Sequence, residues 1–134
     1  MDGTSQYKYL NTYNQVDISL DTFPCGGGAT TLESLRMGTP VVSLTNDSKQ
    51  AYRYSSSILS PLGLNEWVAK TRAEHVEIVC YWARNVGDLS ELRQELRDRV
   101  LTRTAKFVPQ VEAGYREMWR RWCGGEEPSS IYIK

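Results

Sequence analysis

Metal ligands are scarce in this chain. A single histidine, His75, and three cysteines, Cys25, Cys80 and Cys123, without a Cys-x-x-Cys spacing form neither a zinc-type cluster nor a paired disulfide frame, and no metal cofactor is expected. An odd cysteine set suits a reducing, cytoplasmic location. Excess charge of either sign is missing too: 16 basic side chains balance 16 acidic ones, leaving no long-range field to attract nucleic acid or an anionic membrane. No apolar run approaches the roughly 18 residues of a spanning helix, and Met1 to Asn14 is polar and tyrosine-rich with no apolar core, so neither a membrane partner nor secretion is expected.

What is present is enough for one ordinary domain: a chain of 134 residues buries roughly two-thirds of its unfolded surface without covalent staples. Val16 to Asp21 is an apolar cluster that reads as a strand buried on both faces of a parallel sheet. Gly26-Gly27-Gly28 follows, and a helix is predicted from about Thr30 to Met37, with Leu32 and Leu35 on one face and Gly38 ending it. Val41-Val42-Ser43-Leu44 is the next strand, completing a β-α-β unit.

A polar loop, Thr45 to Gln50, leads to a helical stretch in which Ala51, Ser55, Ile58, Leu59 and Leu62 share a face and Pro61 makes the last turn irregular. Trp67 to Lys70 reads as a short third strand. Thr71 then caps a helix with an apolar stripe of Val76, Val79, Cys80, Ala83 and Val86. Beyond Gly87, Asp88 and Glu91 resemble a capping box for a helix carrying Leu89, Leu92, Leu96 and Val100. A separate helix is predicted from Thr104 to Trp122, in which Pro109 is tolerable only if it lies in the first turn. The expected fold is α/β, a partial Rossmann-like three-layer domain of about three parallel strands and about five helices over residues 1–123, with a mobile tail at 124–134. Half of a doubly wound sheet leaves one strand edge uncovered, so a homodimer is an expected partner arrangement.

The glycine loop concentrates the chemistry. It sits where ligands lie in open α/β sheets, beyond a strand's carboxyl end and ahead of a helix start with Thr30 and Thr31, which suits a phosphate; a tight turn with no ligand is the competing reading. No lysine follows the glycines and Thr31 stands where a dinucleotide fingerprint has its last glycine, so neither a P-loop nor a full NAD motif is present. Glu33 is placed either to accept bonds from vicinal ribose hydroxyls or to complete a capping box with Thr30 as N-cap. Arg53, just past the Thr45 to Gln50 loop, could face the same crevice. Lys70, Arg72 and His75 read as solvent-exposed, Asp17 and Asp21 as capping or turn residues, and the aromatics of the last helix as core or interface anchors.

The runs Tyr13 to Pro24, Gly27 to Glu33, Met37-Gly38-Thr39-Pro40-Val41-Val42 and Tyr115-Arg116-Glu117-Met118-Trp119-Arg120-Arg121-Trp122 together closely resemble the C-terminal end of bacterial O-linked N-acetylglucosamine transferase-like proteins. The resemblance extends from about Tyr7 to Cys123. It implies a metal-free glycosyltransferase of the two-domain GT-B type that moves a sugar from UDP-N-acetylglucosamine to Ser or Thr hydroxyls, with this chain matching the second half of its C-terminal Rossmann-like domain. It also implies that Gly27, Gly28, Thr30 and Thr31 bind the UDP diphosphate and Glu33 the ribose.

Against the family pattern, Ala29 replaces a threonine of the phosphate turn, Gly26 an asparagine, and Tyr9 a histidine that helps to hold the nucleotide. The family's phosphate-contacting lysine, uracil-binding backbone and acceptor-binding domain would lie upstream of Met1. Each such contact is worth on the order of 1–3 kcal/mol, so weakened UDP binding and no independent catalysis are expected. Two readings follow: a UDP-sugar-binding part of a glycosyltransferase, completed by an upstream half, or a non-catalytic dimerisation module that has lost the nucleotide.

Overall fold

A computed structural model describes residues 5–45 and 49–132; residues 46–48, the middle of the loop expected at Thr45 to Gln50, lie outside these. Eight principal elements follow in order: α1 (Gln6–Thr12), β1 (Ser19–Leu20), α2 (Ala29–Arg36), β2 (Val41–Leu44), α3 (Tyr54–Leu59), β3 (Val68–Ala69), α4 (Arg72–Arg84) and α5 (Val86–Cys123). Short single turns at Tyr13–Gln15, Gln50–Arg53, Ser60–Leu62 and Asn65–Trp67 link them. The three strands form one parallel sheet ordered β1-β2-β3, with Ser19 opposite Val41 and Ser43 opposite Val68. The chain divides into two compact units, Met1–Val100 and Leu101–Lys134.

In the first unit, β2 is the central strand, and Val41, Val42 and Ser43 are all buried, as residues of a strand paired on both sides should be. Leu35, Leu59, Leu62, Leu64 and Trp67 pack with it, joined by Leu89, Leu92, Leu96 and Val100 from the start of α5. Trp67 is fully buried and stacks on Trp82, with ring centroids 4.6 Å apart and planes 24° from parallel. Gly38 takes φ +82° just past α2, and a Cβ there would lie 3.0 Å from the Arg93 carbonyl, so this C-terminal stop is also a close approach to α5.

Several expectations need correction. The first strand is two residues rather than six, and Leu20 is 60% exposed, because β1 pairs on one side only and nothing among the described residues covers its outer edge. In α2 the buried positions are Thr31, Ser34 and Leu35, and Leu32 points outward at 43% exposure. The stripe drawn through Val76, Val79, Cys80, Ala83 and Val86 is mostly exposed, and Val86 lies beyond α4 at the start of α5; the packed side of α4 is His75, Ile78, Val79 and Trp82, one residue round. His75 is half-buried, its Nε2 3.3 Å from the Val42 carbonyl, not solvent-exposed as expected.

The helix count holds, but its membership changes. Tyrosine-rich α1, capped by Ser5 (Lys8 N–H to Oγ, 3.4 Å), was not anticipated. The two helices predicted beyond Gly87 are one, with Gly87 and Pro109 both inside it. The start at Val86 puts Asp88 in the first turn and removes the capping box. In the second unit, Val108, Tyr115, Met118, Trp119 and Trp122 are all about half exposed or more, so they do not form a core. Glu117 there accepts from Arg120 and Arg121, each at 2.8 Å, and Ser129 of the tail accepts from Arg121 at 2.8 Å.

Candidate functional site

The chain leaves β1 at Asp21 and must turn back into α2 within a few residues. Asp21 makes that turn possible. Its Oδ1 accepts from the Gly27 N–H at 2.8 Å and the Thr22 N–H at 3.0 Å, while Oδ2 accepts from the Ser43 hydroxyl of β2 at 2.8 Å. From the other side Ser55 of α3 donates to the Gly27 carbonyl at 2.9 Å and lies 3.3 Å from the Thr31 hydroxyl. Both polar groups of Gly27 are therefore held. The packing also requires glycine: a Cβ on Gly27 would sit 2.6 Å from the Thr31 hydroxyl oxygen and 2.7 Å from that of Thr30, and one on Gly26 would sit 2.7 Å from Ser55 Oγ.

Helix α2 begins directly behind this loop, with Gly28 as an N-cap that makes no side-chain bond. Its first intrahelical bond runs from the Leu32 N–H to the Gly28 carbonyl at 3.2 Å, so the amides of the first turn have no helical acceptor. They can meet an anion there.

Of the residues singled out from the sequence, Gly27, Gly28, Thr30 and Thr31 fall at this turn. Thr30 is exposed, whereas Thr31 is 3% exposed and faces Ser55. Because Gly28 is the N-cap, Thr30 is already helical, and the capping-box reading of Glu33 does not hold. Glu33 instead accepts from the Tyr9 hydroxyl at 3.0 Å; Tyr9 and Tyr13 hydroxyls are 3.0 Å apart, and Tyr13 reaches the Thr30 carbonyl at 3.4 Å. The bond with Tyr13, then burial and the bond to Glu33, hold the Tyr9 phenol above the ordinary tyrosine range.

Arg53 is not brought to the loop. It lines a shallow cavity with Gln50, Tyr54 and Ser57, and the same segment reaches the glycine loop through Ser55 and Ala51, whose carbonyl is 3.8 Å from Cys25 Sγ. Asp21, read from the sequence as a capping or turn residue, has that role here, while Ser43, Ser55 and Tyr13 are the residues that sequence reasoning missed. Asp21 offered one signal, as a carboxylate at the end of a strand beside a glycine loop. Asp17 belongs elsewhere, bonding Arg93, which also donates to the Val16 carbonyl at 2.9 Å. Among the described residues no cluster of His, Cys, Asp and Glu is placed to hold a metal ion, and no helix is long and apolar enough to cross a membrane.

The family model for glycosyl transferase family 41 matches residues 8–110. A probable UDP-N-acetylglucosamine–peptide N-acetylglucosaminyltransferase, SPINDLY, of Petunia hybrida is 41% identical over 127 residues, covering 92% of this chain and 14% of the relative. A UDP-N-acetylglucosamine–peptide N-acetylglucosaminyltransferase of Caenorhabditis elegans is 32% identical over 113 residues, 81% of this chain and 10% of that protein. The solved structure of an O-GlcNAc transferase variant from Thermobaculum terrenum superposes with a TM-score of 0.79 at 37% identity, over 91% of this chain and 24% of that one. The chain thus spans about one-seventh of the length of the SPINDLY relatives, 14% for the Petunia protein.

Proposed function

The chain belongs to glycosyl transferase family 41, and from that premise we propose that it supplies the diphosphate and ribose corner of a UDP-N-acetylglucosamine site in a protein O-GlcNAc transferase-like enzyme. The observation that carries this reading is the braced glycine loop. Asp21 and Ser55 fix Gly27 from both sides and leave the first-turn amides of α2 without helical acceptors. In this reading the Gly28 turn and the Thr30 hydroxyl meet the diphosphate, Thr31 acts by bracing the loop against Ser55, and Glu33 accepts from the ribose. An upstream half would supply the acceptor site and the remaining nucleotide contacts. This chain alone then binds UDP weakly and transfers no sugar, because transfer requires an acceptor hydroxyl aligned with the anomeric carbon.

The test is a titration of UDP followed by the backbone amide shifts of Gly26 to Glu33. Saturable movement in that segment is the expected result, and Glu33→Ala should weaken it about tenfold or more through loss of a charge-assisted hydrogen bond. Silence up to millimolar UDP would refute the nucleotide role. A second reading, an interaction module without nucleotide, is favoured by the exposure of Trp119 at 68% and Trp122 at 75%. Under that reading the chain self-associates while the loop amides stay still.

A further inference from the structure

The structure assigns Tyr9, backed by Tyr13, as the positioning residue that fixes the Glu33 carboxylate to receive a vicinal diol, an inference that rests on the nucleotide reading above. The geometry is a short relay across two elements. The Tyr9 hydroxyl lies 3.0 Å from Glu33 Oε2 and 3.0 Å from the Tyr13 hydroxyl, which in turn lies 3.4 Å from the Thr30 carbonyl. Each phenol has one proton to give. Tyr9 gives its proton to Glu33, so the short contact between the phenols takes the Tyr13 proton, and the longer reach to Thr30 is its alternative. Tyr9 itself is steadied by the edge-on Tyr13 ring, 5.7 Å away and 79° from parallel.

This arrangement holds the carboxylate without exhausting it. An ionised carboxylate has about four acceptor sites, and the phenol occupies one of them on Oε2. Among the described residues Oε1 takes no hydrogen bond, which leaves it to two adjacent hydroxyls, and part of the freedom that a half-exposed glutamate would lose on binding is already removed. The Tyr9 phenol, held above the ordinary tyrosine range by Tyr13 first, remains a donor through neutral and mildly alkaline pH. A site built this way selects for the diol, not merely for the phosphates.

The experiment compares UDP with 2′-deoxy-UDP by amide-shift titration in the unmodified protein, Tyr9→Phe, Glu33→Ala and the double variant. Expected is a preference for UDP of about tenfold that falls at least threefold in Tyr9→Phe, with 2′-deoxy-UDP affinity unchanged and no further effect of Tyr9→Phe once Glu33 is alanine. Phenylalanine keeps the ring contact, and an unchanged amide spectrum away from Glu33 verifies the fold. An unchanged UDP preference in Tyr9→Phe, or equal weakening of both nucleotides, overturns the positioning role and leaves the nucleotide reading intact. Silence of the unmodified protein toward both nucleotides overturns the two together.

Discussion

Gly27 and Gly28 are neighbours with opposite tolerances. A methyl group on Gly27 would press against two β-branched side chains at 2.6 and 2.7 Å, and threonine is stiff at χ1, so room must come from the backbone. Among the described residues nothing lies within 4 Å of a Cβ on Gly28. Gly27→Ala should therefore destabilise the protein by about 1–3 kcal/mol in chemical denaturation, as overpacking does, while Gly28→Ala, which meets no neighbour but puts a poor capping residue at the N-cap of α2, should cost only about 0.5–1 kcal/mol. Equal effects would show that the loop is looser than its contacts imply. Removing Asp21 withdraws the acceptor for Gly27, Thr22 and Ser43 at once. Asp21→Ala should cost about 1–3 kcal/mol, and should speed amide exchange at Gly27 more than at the first turn of α4. The glycines and threonines of the site were legible as types at a spacing. The brace was not, since Ser43 and Ser55 lie on other elements and one sequence carries no sign of which serine turns inward.

At the scale of elements, what could be read followed from packing on both sides. Strand β2 and the face formed by Ser55 and Leu59 of α3 with Leu62 of the turn after it appear as periodicity foretold, because each is enclosed by neighbours within the first unit. Reading failed where one side is open: Leu20 of β1, Leu32 of α2, and Val76, Cys80 and Ala83 of α4 lie exposed with no cover among the described residues. Pro109 misleads for another reason: a proline is tolerated in the first turn of a helix, and this one lies well inside α5. A proline there removes a backbone donor and crowds the preceding turn, so Pro109→Ala should raise helical circular dichroism and stabilise the segment by about 1–3 kcal/mol.

Farther along α5, the bonds from Arg120 and then Arg121 hold the Glu117 carboxyl down at about 2, from an ordinary 4.5. A carboxyl lowered on folding stabilises above its unfolded value and loses that contribution as pH falls through the folded one. Helicity of this segment should thus decline between about pH 4.5 and 2, and Glu117→Gln should abolish that part of the acid transition.

For the molecule as a whole, family membership was more legible than shape. The motifs that marked the resemblance lie in unbroken local runs, and a family match over residues 8–110 needs no knowledge of what covers each surface. The division at Val100 and Leu101 could not be seen, because it falls inside a continuous helix. If the exposed β1 edge and the aromatic residues of the second unit drive self-association, static light scattering should show mass rising with concentration, and Trp119→Ser with Trp122→Ser should reverse it. A constant monomer mass at high concentration would exclude the homodimer.

The four tryptophans are shared evenly between the units, and this gives the protein two built-in reporters of opposite character. Trp67 is sealed from solvent and stacked on Trp82, whereas Trp119 and Trp122 stand in water. Emission from Trp67 should be blue-shifted and deaf to iodide, that from half-buried Trp82 partly shielded, and that from Trp119 and Trp122 red-shifted and readily quenched. During denaturation, the fraction of fluorescence shielded from quencher then follows the strand-bearing unit alone, without labels or mutations.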